Sequence, residues 1–215
     1  MLSFGKFAQL KESVENNPVE VDAYHGSGKL FPKFDQRQAR IANDHMGGGV
    51  GYFTDNHDVA KTYANSMARS QKTDTPFVYH TKLKMNNVFD VDHEFTGDKL
   101  KHILPDDIKA HEDFARGAGL LKIGEDKYTT MDKLRSGKLN LSGAQVFKGL
   151  SRGGVDSAKA RDHLINKGFD GIRYNGGENM NMATRHNVYM PYNADGIKIN
   201  KVTKLVKKLQ DSNDN

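Results

Sequence analysis

Ala23-Tyr24-His25-Gly26-Ser27 closes the run Val19-Glu20-Val21-Asp22-Ala23-Tyr24-His25, whose apolar and polar residues alternate as in a half-buried strand. Gly26-Ser27-Gly28 ends that strand, so it delivers His25 and Gly26 to its tip. Further on, Gly49-Val50-Gly51-Tyr52-Phe53-Thr54-Asp55 predicts a Gly-rich loop entering a short strand at Tyr52-Phe53-Thr54. Asp55 or Asn56 can then cap a helix whose buried face is marked by Val59, Ala60, Tyr63, Ala64 and Met67. That order sets Tyr63 on the same wall as Tyr52.

Outward from this pair of stretches, Phe4, Phe7, Leu10 and Val14 mark an amphipathic N-terminal helix within residues 1–17, with Ser3 as its N-cap and Pro18 as its stop. Phe31-Pro32-Lys33-Phe34-Asp35 reads as a loop anchored by two phenylalanines. Phe77 to Met85 and Val88 to Val91 alternate as two strands of one sheet, turned at Asn86-Asn87. Residues 95–160 read as a helical insert. Leu100, Ile103 and Leu104 fall on one face, and Pro105-Asp106-Asp107 opens a helix holding Ile108 and Phe114. The glycines between Gly117 and Ser151 blur the pattern, and Asp156-Ser157-Ala158 opens a helix with Ala160, Leu164 and Ile165. Gly168-Phe169-Asp170-Gly171-Ile172 closes that helix and starts a strand; a polar loop follows from Asn175 to His186, then strands at Asn187 to Met190 and Gly196 to Ile199. Val202, Leu205, Val206 and Leu209 predict a last helix over Lys201 to Gln210, docked on its own domain, and 211–215 reads as a disordered tail.

The 215 residues suit one domain, 1–215, and 36% apolar with 27% charged residues exclude a disordered chain. The absence of cysteine excludes disulfides and thiolate metal sites. No apolar run is long enough to span a bilayer and no signal peptide is evident, which implies a soluble protein with no membrane role, made where it acts or exported by machinery that reads no such signal. A cytoplasmic or virion-packaged protein is the simplest reading. A net charge of +5 favours polyanionic partners. Four glycines at 47, 48, 49 and 51 invite a phosphate-loop reading, but the Lys-Ser/Thr that should follow is missing. Neither a His-Glu-x-x-His metal motif nor a Gly-x-Ser-x-Gly elbow occurs, so no metal is expected.

The order His-Gly-Ser, Gly-Tyr-Phe, Ala60-x-x-Tyr63, Gly-Phe-Asp-Gly-Ile resembles the NAD-binding core of ADP-ribosyltransferases of the His-Tyr-acid branch, that of diphtheria toxin and the poly(ADP-ribose) polymerases. It is similar above all to small phage and bacterial effector relatives. The resemblance covers roughly residues 19–92 and 160–200. It implies an α+β fold with an ADP-ribosyltransferase-like split β-sheet core, flanking helices and a helical insert. It also implies a monomeric NAD-dependent mono-ADP-ribosyltransferase, with NAD as substrate and a host protein or nucleic acid as acceptor. Such an effector or toxin would act in the host cytoplasm if phage-encoded or injected. Tyr24, His25, Gly26, Ser27, Tyr52, Phe53 and Tyr63 would then hold NAD: Gly26 the carboxamide through its backbone, Tyr52 and Tyr63 the nicotinamide ring, His25 a ribose hydroxyl. Relatives carry a catalytic Glu at the head of the penultimate strand; here that head reads Thr184-Arg185-His186-Asn187-Val188. Asn187 or Val188 holds the position, and Glu178 in the preceding loop is the nearest acid before it. Besides His25 and Tyr52, the catalytic candidates are therefore Glu178 and Asn187. A NAD glycohydrolase and a catalytically silent binding module are the other readings.

Overall fold

The computed structural model describes residues 17–35, 48–73, 75–121, 126–177 and 184–206. The N-terminal helix, the first part of the Gly-rich stretch, Glu178 and the 211–215 tail lie outside the described residues. What is described is an α+β chain with a mixed seven-stranded sheet, a two-stranded sheet and, among the described residues, six helices.

The large sheet is a single seven-stranded sheet, and three of its strands make one half. β1 (Val19–Ser27) pairs antiparallel with β3 (Phe77–Met85) along all nine of its residues, and β3 pairs with β9 (Ile197–Lys204). The other half joins β2 (Phe53–Thr54), β8 (Asn187–Pro191), β7 (Gly171–Asn175) and β4 (Val88–Asp90), with β4 and β7 parallel. Across the middle β1 and β2 pair at one position, Tyr24 opposite Thr54. β3 and β4 do belong to one sheet, as their alternation implies, but they are not neighbours. Asn86-Asn87 carries the chain from one half to the other instead of turning a hairpin.

Asp170 explains that transfer. Its two carboxylate oxygens accept the N–H groups of Asn86 (2.7 Å) and Asn87 (3.0 Å). Gly171 beside it is pressed so close that a Cβ there would stand 2.5 Å from the Met85 sulfur. The Gly-Phe-Asp-Gly-Ile motif is thus the seam of the two halves: Phe169 is buried, Asp170 clamps, and Gly171 leaves room.

Side chains alternate between the two faces. On one face Ala23, Tyr79, Leu83 and Met85 of the first half meet Phe53, Val88 and Tyr189 of the second in a shared cluster with Phe34 and Val50. On the other face lies α1 (His57–Ser70), capped by the Asn56 side chain, which accepts from the Asp58 and Val59 N–H groups. Ala60 and Ala64 set this helix against Val78.

The insert covers that same second face of β4, β7 and β8. It contains β5 (Glu94–Phe95), α2 (Gly97–Ile103), α3 (Ala110–Gly117), α4 (Lys127–Arg135), β6 (Leu141–Ser142), α5 (Gly143–Leu150) and α6 (Ser157–Asn166). Leu100, Ile103, Phe114, Leu134, Val146 and Leu164 bury against Phe89, Ile172 and Met190 of the sheet. Each such fully buried side chain contributes about 1.5–3 kcal/mol. The β5–β6 ribbon shows that the insert is not purely helical. Ile108, expected inside a helix, is 62% exposed and precedes α3.

The expected C-terminal helix is corrected over its first residues. Lys201 to Lys204 continue β9, facing Phe77 to His80 of β3. Without β9 the N–H and C=O groups along that side of β3 would lack ladder partners, and pairing them outweighs a helix-compatible spacing.

Candidate functional site

His25 sits on the shared-core face of β1, directly opposite Tyr79 of β3. Its ring lies among Phe34 (5.2 Å between centroids), Phe53 (5.4 Å), Phe31 and Tyr79 (6.0 Å each). Phe31 stacks on Tyr79 at 4.2 Å, and the Tyr79 hydroxyl accepts the Phe31 N–H at 2.6 Å. The Phe-Pro-Lys-Phe-Asp loop is therefore strapped over the histidine, as two anchoring phenylalanines imply.

His25 Nδ1 lies 2.8 Å from the Tyr52 carbonyl oxygen. A carbonyl only accepts, so Nδ1 carries the proton and donates it, and in the neutral ring Nε2 keeps its lone pair. Burial holds the imidazole below its ordinary value of 6.5, and the bond to Tyr52 opposes that shift in part. The neutral tautomer with Nε2 as an acceptor is thus the form favoured near neutral pH.

Gly26 points the other way, onto α1. A Cβ there would collide with the Ala60 carbonyl oxygen, stand 2.6 Å from the Ala64 nitrogen and touch Tyr63 Cβ at 3.0 Å. Only glycine permits this approach, and it brings half-buried Tyr63 against the strand end. Burial raises the Tyr63 phenol pKa. At the C-terminal end of β1, His25 therefore faces one side of the sheet and Gly26, with Tyr63 against it, the other. Tyr52 supplies its carbonyl to His25 and leaves its ring 42% exposed.

The remaining sequence candidates are placed differently. Tyr24 lies on the α1 face, its ring 5.0 Å from His57 and 5.1 Å from His80, away from the His25 ring. Ser27 is buried, its hydroxyl donating to the Lys29 carbonyl (2.8 Å) and accepting the Lys29 N–H (3.0 Å), so it forms a turn. Phe53, 1% exposed, is a core ring. Glu178 lies outside the described residues. The neck of its loop is held by the Gly176 N–H donating to the His186 carbonyl at 2.9 Å.

At the strand head Asn187 and Val188 face opposite sides of the sheet. Val188 pairs with Thr54 and Tyr174 and is buried under the insert, which leaves Asn187 on the His25 face. There a carboxylate that its local sequence marks only as a helix cap comes into play. Asp55 Oδ1 accepts the Asn187 N–H at 2.9 Å, and Oδ2 accepts its side-chain amide at 2.7 Å. The sequence signal was present as an acid directly after a Tyr-Phe-Thr strand. Asp55 also reaches electrostatically to Tyr189: burial first, then the Asp55 and Asp90 charges, raise that phenol's pKa, with Arg173 opposing. Phe53, Tyr189, Arg173 and Asp90 form one row across β2, β8, β7 and β4, and Arg173 ion-pairs with Asp90. Among the described residues no group of three or more His, Asp or Glu could hold a metal, and no helix is long and apolar enough to cross a membrane.

No family model matches the sequence, and no curated protein matches it either. Among solved structures, the chain is similar to one in the crystal structure of the M. tuberculosis MbcT–MbcA toxin–antitoxin complex. The identity is 9% and the TM-score 0.46, over 96% of this chain and 94% of that one. At that identity and score the likeness assigns neither family nor activity, and function rests on the residues themselves.

Proposed function

We propose that the chain is a NAD-dependent mono-ADP-ribosyltransferase with a split-sheet core, acting as an effector or toxin on a macromolecule in the cytoplasm of a host cell. One observation carries the reading: His25, locked through Nδ1 on the Tyr52 carbonyl, and Gly26, pressed on α1 beside Tyr63, share the C-terminal end of β1. In this reading the backbone of Gly26 takes the nicotinamide carboxamide, Tyr63 and the exposed Tyr52 ring face the nicotinamide, and His25 Nε2 accepts a ribose hydroxyl. The bond between ribose C1′ and the nicotinamide nitrogen breaks with its electron pair going to the ring. The cationic C1′ then bonds to the acceptor's lone pair, and the acceptor loses its proton. Asp55, held against Asn187, supplies negative charge toward that cation in place of a strand-head Glu.

A silent binding module is the second reading, favoured by one fact: both Asp55 oxygens are occupied by Asn187, which leaves that carboxylate poorly placed as a base. Labelled NAD incubated with the protein and a bacterial lysate separates the readings. Transfer of label to macromolecules, lost in His25→Ala and Tyr52→Ala variants that still melt cooperatively, supports the transferase. Nicotinamide release without label makes it a glycohydrolase. Failure of both across several lysates leaves the binding module.

A further inference from the structure

α1 covers only one end of the sheet face on which it lies. Ala60 and Ala64 pack on Gly26 and Val78 at the tip of β1, and the insert covers β4, β7 and β8. The earlier residues of β1 stay open on that face, with their neighbours on β3 and β9. Register sets them in rows: Glu20 beside Lys84, then Asp22, Lys82 and Lys198, then Tyr24, His80 and Lys201. Every lysine and carboxylate among them is exposed. A register shift between His80 and Thr81 leaves Asn200 as an extra residue in β9, and this bulge returns Lys201 to the side on which Lys198 stands.

Four lysines thus face two carboxylates, and both carboxylates gather at Lys82. Glu20 pairs with Lys82 at 2.7 Å, and the Glu20 bond and charge, then the Asp22 charge, raise the Lys82 pKa, with burial opposing. Among the described residues Lys84, Lys198 and Lys201 form no ion pair. Guarding an edge strand accounts for Lys198 and Lys201 but not for Lys82 and Lys84, because β3 is paired on both sides.

The rows end on rings. Tyr24 lies 5.0 Å from His57 and 5.1 Å from His80 between centroids, and the two imidazoles are 5.4 Å apart. Burial first, then the charges of His57 and Lys201, keep His80 below its ordinary value, and its Nε2 meets the Thr203 hydroxyl at 3.2 Å. Successive rows are two strand residues apart, about 6.8 Å. An extended phosphodiester chain fits such a grid, its phosphates on the cations and an unstacked base against the rings. Sheet faces that hold single strands combine these two features.

We propose that the open face of β1, β3 and β9 binds single-stranded nucleic acid, with phosphates at Lys84, Lys198 and Lys201 and a base against the rings of Tyr24, His57 and His80. This surface lies outside the NAD chemistry, and its binding is read without NAD. Fluorescence anisotropy of labelled oligo-dT and oligo-U with the full chain tests it, with duplex DNA and polyglutamate as competitors. Saturable binding is expected, with log K falling against log salt at a slope of about −2, from three phosphate contacts at about 0.7 each. Replacing Lys84, Lys198 and Lys201 together by Ala should weaken binding at least tenfold and flatten that slope. The same exchange at Lys133, Lys148 and Lys159, exposed on the insert, removes equal charge and should leave binding within about twofold. Circular dichroism checks that both variants keep the fold. The proposal is overturned by no saturable binding at low salt, by equal loss in the two variants, or by binding that survives the Lys84, Lys198 and Lys201 exchange. Duplex DNA or polyglutamate competing as well as the single strand would also overturn it.

Discussion

Replacing Asp55 by Asn isolates the charge that faces Asn187. The substitution keeps shape and one acceptor but sets an amide NH₂ against the Asn187 amide, so one of the bonds at 2.9 and 2.7 Å is lost. A bond to a charged acceptor is worth about 1.5–3 kcal/mol, and exposure of Asp55 reduces that, so a stability loss of about 1 kcal/mol is expected in urea melts. The catalytic effect should be larger. Asp55 lies two residues along β2 from Phe53 and on the same face as His25, a diagonal relation that spans about 7–8 Å. At about 7 Å a unit charge is worth about 2.4 kcal/mol at an effective dielectric of about 20, and about half that at about 40. The expected fall in kcat for nicotinamide release is therefore about 8- to 60-fold, with KM for NAD within about twofold, because the charge acts on the sugar cation that develops in the transition state. Initial rates over a range of NAD concentrations measure both. A wild-type enzyme that turns over NAD beside an Asp55→Asn variant of unchanged kcat would refute the assignment of Asp55. An inert wild type would strike the transferase reading itself.

Gly26→Ala should destabilise the chain by at least about 2 kcal/mol, since the new methyl group meets the backbone of α1 at Ala60 and Ala64; chemical denaturation reads the loss. Asp170→Ala removes both acceptors that hold Asn86 and Asn87 and should cost about 1–3 kcal/mol, with faster hydrogen exchange at those two amides. Burial depresses the pKa of His25, His80 and His163 below 6.5, so the unfolded chain binds more protons just under that pH. Stability should be full above about pH 6.5 and fall as the pH drops through the lower folded values; His163→Gln, which avoids the proposed site, should flatten melts taken from pH 5 to 8. Ending the chain at Asn200 strips β9 from Phe77 to His80 and should cause concentration-dependent association, visible by light scattering.

What was legible in the sequence is what short-range chemistry decides. The β1 tip, the Asn56-capped helix and the Gly-Phe-Asp-Gly-Ile seam each follow from residues a few positions apart, and each stands where its residues imply. The Ser142 and Gln145 capping box that opens α5 was equally local, and only the surrounding glycines hid it. Residues 201–204 look helical in sequence because Val202, Leu205, Val206 and Leu209 fit a helix by spacing, while the partner that makes 201–204 a strand is β3, more than a hundred residues earlier. Nothing local chooses between them.

The same limit hid the acid. Asp55 and Asn187 are 132 residues apart, and no spacing rule couples them. They meet because β2 pairs with β8 at Phe53–Tyr189 and Thr54–Val188, so the next residue outward on each strand must face the other. Two paired residues thus fix a contact that neither sequence stretch shows alone. A chain without a strand-head carboxylate can therefore still present one there, carried in from the neighbouring strand. The carboxylate at the head of β8 is then a property of the sheet register rather than of the β8 sequence, and a substitution that slipped the β2 register by one residue would remove it while leaving both Asp55 and Asn187 in the chain.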